Sequence, residues 1–274
     1  TLIDDNSFKN NIDIKSIIVP KTIITIGQSS FFGSSINSIS ISSSVIKIDQ
    51  YSFSQCKNLK SINFSINSQL QSIGRLAFSE SSISSIKIPS KVTQIDEGAF
   101  FKCKSLKTIE FSQDSQLETI SKELLLESSI ERIEIPSAVT TIKEDSFARC
   151  LNLKYVQFLP NSQLINIEES AFRESSLETI LIPSNVEKIR IQTFDSCQNF
   201  KAIEFLSSSI TIENFCFDKS ENLTLASFPN SHQINITRYS FNGVSSDFTI
   251  FCLKGVKINV EQPQITKKYL CEIQ

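Results

Sequence analysis

Phenylalanine recurs along this chain on a fixed beat. Phe53, Phe100, Phe147 and Phe194 are each 47 residues apart, and Cys56, Cys103, Cys150 and Cys197 keep the same step. Phe78, Leu125 and Phe172 form an interleaved series with that period, so the true unit is a half-repeat alternating between 22 and 25 residues. Such a period marks a solenoid, in which each coil buries its apolar side only against its neighbours. The 274 residues therefore read as one continuous array rather than one or two globular domains.

Aligning on the aromatic position gives eleven coils, anchored at Phe8, Phe31, Phe53, Phe78, Phe100, Leu125, Phe147, Phe172, Phe194, Phe217 and Phe241. After each anchor the apolar residues end in alternation, as at Ile109 and Phe111 or Ile133 and Ile135, which predicts a strand with one buried face. Before Phe100, Val92 and Ile95 supply the opposite wall. Pro20, Pro89, Pro136 and Pro183 follow the predicted strands, where a missing N–H harms no ladder and the fixed φ helps turn the chain. Each coil is expected to run strand, turn, short return and turn.

Three residues past each anchor stands a column of small, weakly polar groups: Asn11, Ser34, Cys56, Ser81, Cys103, Ser128, Cys150, Ser175, Cys197, Ser220 and Val244. A hydroxyl or thiol at a coil corner can bond a backbone group that the turn leaves unpaired, which otherwise costs about 1–3 kcal/mol. Consecutive cysteines of this column lie two coils apart, roughly 9–10 Å at ordinary strand spacing. That is too far for a disulfide or a shared metal ion. They read as buried thiols, as does Cys216, which stands where other coils have Ala77, Ala99 and Ala171. Cys252 and Cys271 fall where the beat fades, and both a bridge between them and two free buried thiols are open.

The net charge of −2, spread rather than blocked, gives no electrostatic reason to expect a nucleic acid or an anionic membrane as partner. No stretch reaches the roughly 18 consecutive apolar residues of a membrane span. Walker, dinucleotide-glycine and paired-cysteine zinc motifs are missing, so no cofactor or metal is expected. His232, the one histidine, matches Gln163 of another coil and is expected in an exposed turn rather than at a catalytic centre. Asp96-Glu97 and Glu168-Glu169 precede anchors, where carboxylates suit the N-terminus of a short helical turn. Ile3 and Phe8 hold the same places as Ile48 and Phe53, so the chain opens in mid-repeat, leaving room for a leader, an anchor or further coils outside it.

The segment SIKIPSKVTQIDEGAFFKCKSLKTIEF at 85–111 resembles the Treponema pallidum-type leucine-rich repeat of BspA-like proteins. The likeness covers about residues 1–251, and the Ile, Ser, Asn, Lys and Phe bias is similar to the surface-antigen families of protists such as Trichomonas. The departures are Leu125 for Phe, Ser42 for Pro, and Gln233 where Leu164 stands in the matching segment. The resemblance implies a right-handed, curved leucine-rich-repeat solenoid, α/β by convention but strand-rich. It would carry a parallel sheet on its concave side and short helical or irregular convex turns. It also implies surface display and adhesion to host proteins or other microbes. Residues 1–251 form the expected solenoid and 252–274 its C-terminal cap.

Three columns face outward on the predicted sheet. One alternates charge, with Lys107, Glu131, Lys154, Glu178 and Lys201, as expected for spacing like charges apart. A second is mostly small hydroxyls until it reaches Arg132 and Tyr155; a third passes through Gln157 and Leu181. Arg and Tyr are enriched in binding hot spots, which makes Arg132, Tyr155, Gln157 and Leu181 the candidate ligand-binding residues. Asn63, Asn222 and Asn235 begin glycosylation sequons, and a glycan on Asn63 would cover part of the sheet. The expected function is a non-enzymatic, extracellular or cell-surface module for recognition or adhesion, holding a protein or cell-surface ligand without inserting into a membrane. An intracellular repeat scaffold is the first alternative and an enzyme centred on His232 the last.

Overall fold

A computed structural model describes residues 1–261 together with the backbone of 269–272. Isoleucine-rich segments after each anchor form short parallel strands, from Ser16–Ile18 and Ser38–Ile41 to Thr249–Leu253 and Tyr269–Glu272. They stack in sequence order into a wide face made of a three-stranded and a nine-stranded sheet. A second pair of parallel sheets forms on the return side of the coils, from strands such as Gln94–Ile95 and Thr141–Ile142. Return strands lengthen from two residues to four at Ser209–Ile212, Gln233–Ile236 and Lys257–Val260. Gln233, the departure noted in the sequence, opens one of these longer strands.

The anchors sit between the two strand rows. Phe8 to Phe100 stack in one run with ring centroids 5.0–5.5 Å apart, and Phe147 to Phe241 in another at 4.9–5.4 Å. Leu125 separates the runs. Beside it the return ladder also stops: Gln94–Ile95 and Thr119–Ile120 belong to different sheets, and the Ser121 hydroxyl donates to the Ile95 carbonyl.

The described residues contain no helix, so of the helical or irregular outer turns expected, the chain forms the irregular kind. Residues two before and two after every anchor adopt positive φ, among them Tyr51 and Gln55 around Phe53 and Asp145 and Arg149 around Phe147. A left-handed residue every few positions cannot propagate a right-handed helix. It makes successive tight turns instead, whose outward amides bond the next coil, as Phe53 N–H does to the Ala77 carbonyl. Glu97 serves no helix N-terminus; it pairs with Arg75 of the coil before it at 3.2 Å. The left-handed positions are mostly not glycine, and each non-glycine residue there costs about 1–3 kcal/mol that the inter-coil bonds must offset.

The corner column behaves as its chemistry requires. Sγ of Cys56, Cys103, Cys150 and Cys197 donates to the carbonyls of Phe31, Phe78, Leu125 and Phe172 at 2.9–3.1 Å. Each thiol also meets the serine hydroxyl of the preceding coil, 3.5–3.7 Å away. Ser220 Oγ takes over the role at Phe194, 2.8 Å from its carbonyl. All four thiols and Cys216 are free and buried.

Burial raises these thiols above the ordinary value of 9.0, to about 11 for Cys56 and about 12 for Cys103, Cys150 and Cys197, against the opposing pull of the serine hydroxyls. A thiol that ionises later in the folded state stabilises the fold fully below the unfolded value and loses that contribution as pH climbs toward the folded one. The denaturant midpoint is therefore expected to fall between pH 9 and 12, with native Cys103 and Cys150 resisting alkylation at pH 8. Prompt labelling of either in folded protein would contradict their placement.

Candidate ligand-binding face

On the wide face, Arg132 stands directly across from Tyr155, and Tyr155 across from Thr179; in the next outward column Glu134 pairs with Gln157, and Leu181 with Glu204. The alternation of the strands Arg132–Ile135, Tyr155–Phe158 and Thr179–Ile182 leaves these side chains outside while Ile133, Val156 and Ile180 face the core. Tyr155 is 55% exposed and Leu181 49%, high values for side chains of their size in the middle of a sheet. Arg132, Tyr155, Gln157 and Leu181 line one open concavity of about 1220 Å³.

Its rim includes residues the sequence reading passed over. Leu159 and Pro160 form part of the wall. They follow Phe158 where the equivalent long coils have Ser65-Ile66 and Ser112-Gln113, so the break in column was readable beside Arg132 and Tyr155. Glu110 and Glu134 also line the concavity, and among the described residues neither lies within 4 Å of a cation. Elsewhere on this face the charges pair: Lys107 with Glu131 at 3.1 Å and Lys201 with Glu178 at 3.0 Å. Lys201 holds the Glu178 carboxyl below its usual range by hydrogen bond and charge. Glu131 and Glu178 each engage one lysine rather than one on either side, and Lys154 between them bridges neither.

Residues 1–107, 71–199 and 165–259 match the model of the BspA type leucine rich repeat region, in six copies. The chain belongs to this family. Among solved structures, this BspA-type array is similar to a leucine-rich repeat protein from Bacteroides ovatus, with 25% identity, a TM-score of 0.78, and coverage of 96% of this chain and 67% of that one. It also shares its fold with the pneumococcal vaccine antigen PcpA, at 18% identity, TM-score 0.59, and coverage of 94% and 92% respectively. No curated protein matches it.

The other candidates are dispersed. Asn63 is exposed on the strand Ser61–Phe64, far along the array from Arg132. Asn222 Nδ2 donates to the Gln198 carbonyl at 2.6 Å. Asn235 is half-buried in a side-chain ladder, donating to Thr211 Oγ1 and accepting from Asn259 Nδ2. His232 is exposed, and its backbone bonds Ser208 and Lys257. The strand Thr249–Leu253 crosses the expected cap boundary, and Tyr269–Glu272 adds a parallel strand with Cys271 in register with Cys252. Cys252 is buried. The Cys271 side chain and the rest of the expected cap, 262–268 and 273–274, lie outside the described residues.

Proposed function

We propose that this BspA-type array is a non-enzymatic recognition or adhesion module, displayed outside the cell, that holds a protein ligand on its wide sheet near Arg132 and Tyr155. The observation that carries the reading is convergence: the residues that break their own columns, Arg132, Tyr155, Leu181 and Leu159-Pro160, surround a single concavity. An exposed aromatic, a guanidinium and an aliphatic side chain together supply the anchor types that dominate protein interfaces. Likeness to a vaccine antigen agrees with surface display.

Changing Arg132 and Tyr155 together to Ser is expected to leave circular dichroism and the unfolding midpoint nearly unchanged, since Ser38 and Ser61 hold the same column in earlier coils. Binding to purified surface and matrix proteins or to whole cells should weaken by about 1–4 kcal/mol. A well-folded double variant that binds every panel member as tightly as the parent would move the site off this face.

An intracellular scaffold is the second reading, favoured by the five free thiols. Their burial shields them from oxidants, however, so they suit an extracellular protein as well. An enzyme built on His232 ranks last, because that residue sits exposed in the turn chain. In the extracellular reading, residues 252–274 cap the array and a Cys252–Cys271 bridge ties the cap to the last full coil. Non-reducing peptide mapping should then recover the two cysteines as one linked pair. Recovery of both as alkylated thiols, in protein made in an oxidising compartment, would remove the bridge and count against secretion. In such a protein the exposed Asn63 and Asn222 are the sequons open to a glycan, since modification of Asn235 has to break its ladder.

A further inference from the structure

We infer that the wide sheet of the first four coils is a second docking face, separate from the Arg132 concavity, and that it takes an acidic polysaccharide. Lys87 lies on the strand Ser85–Ile88, and Lys15 and Lys60 immediately precede the strands Ser16–Ile18 and Ser61–Phe64; all three are exposed, and no carboxylate stands on any of the four strands. None of the three is within 4 Å of an acid among the described residues, and Lys15 Nζ bonds only the Ile12 carbonyl. The nearby acids are Asp13, in the turn before the first strand, and Glu110 on the fifth coil, across from Lys87 in register without forming an ion pair. Later on the same face, Lys107 and Lys201 are matched by glutamates at about 3 Å, and Lys154 stands between Glu131 and Glu178 in its column. The first four coils thus keep an uncompensated positive face on a chain whose net charge is −2.

The neutral positions between the lysines narrow the ligand class. Ser16, Ser38 and Ser61 are paired in register, and Ser40 stands across from Asn63. Hydroxyls and an amide offer both donors and acceptors, as a polyhydroxylated ligand requires. Aromatic and Arg side chains, the usual anchors of a protein partner, do not occur at these outward positions, and the large apolar side chain there, Ile18, lies at the rim. Lysine is a hydrated point charge rather than a planar fork, suited to an anion that stays partly solvated. Strand spacing and rise put Lys15 two coils from Lys60, and Lys87 one coil and three residues from it, each step roughly 10 Å. Cations so spaced match a polymer bearing anions at intervals.

The test uses unglycosylated protein, because a glycan on Asn63 would cover this face, and heparin as a sulfated polysaccharide with uncharged dextran as control. Heparin should bind and dextran should not, and binding should weaken as salt rises. The triple variant Lys15→Gln, Lys60→Gln, Lys87→Gln should bind roughly tenfold more weakly or worse, with unchanged circular dichroism. The Arg132→Ser, Tyr155→Ser variant should bind heparin as the parent does, which separates this face from the protein site. No heparin binding at about 0.05 M salt, where screening is weak, would overturn the inference. So would equal binding by the triple variant, or a preference for polyglutamate over heparin, which would assign the face to an acidic peptide.

Discussion

Replacing Phe147 with alanine is expected to cost about 3–5 kcal/mol. The ring is fully buried and stacks on Phe172 at 5.1 Å with 4° between planes, while its other neighbour in the column is Leu125. Alanine removes the stack and leaves a void between two coils whose backbones are held in place by the inter-coil bonds of Phe147 N–H to Ala171 and Leu125 N–H to Ser146. Collapse is therefore restricted, which places the cost toward the upper end for a large-to-small change. Denaturant unfolding followed by circular dichroism measures it. A loss of only a few tenths of a kcal/mol would show that the aromatic column does not line the core.

The coil that lacks a phenylalanine should reveal why. Immediately before Leu125 stands Leu124, fully buried, in a column that elsewhere holds Ser30, Ser52, Ala77, Ala99, Ser146 and Ala171. The smaller anchor is accompanied by a larger neighbour, so the pair Leu-Leu replaces Ala-Phe with the same number of side-chain carbons. Leu125→Phe alone should overpack this layer and destabilise by about 1–3 kcal/mol. Leu124→Ala alone should leave a cavity and cost about 2–5 kcal/mol. The double variant should recover most of both losses, because it restores the arrangement of the adjacent coils and closes the gap between the two phenylalanine stacks. Additive losses, with coupling below about 0.5 kcal/mol, would show that the two leucines fill independent spaces.

Much of this architecture was legible because a repeat presents each structural decision several times. The anchor column, the strand alternation and the corner thiols could each be read from a list of equivalent positions, and Cys103 bonds the Phe78 carbonyl as its column required, while Ser128 meets the Cys150 thiol instead. The form of the outer turns was hidden for the converse reason. Positive φ falls on Tyr51, Leu76, Glu123, Asp145 and Phe215 alike, so no residue type advertises it. Only Gly33, Gly98 and Gly243 among those two columns carry the usual mark. Without that mark, acidic pairs such as Asp96-Glu97 looked like helix starts. The candidate face was half visible: Arg132 and Tyr155 stood out against serine and threonine, whereas the wall at Leu159 and Pro160 lies in the longer turn and joins the concavity only once coils are stacked.

In the proposed function the wide sheet, rather than the outer turns, is the recognition surface. Hydrogen exchange of the protein alone and bound to the first protein ligand found in the panel tests this directly. Protection is expected to rise in Arg132–Ile135, Tyr155–Phe158 and Thr179–Ile182, and to remain unchanged around Phe147 and Phe172 on the outer side. New protection confined to the turns around those anchors, with the three strands unaltered, would contradict it.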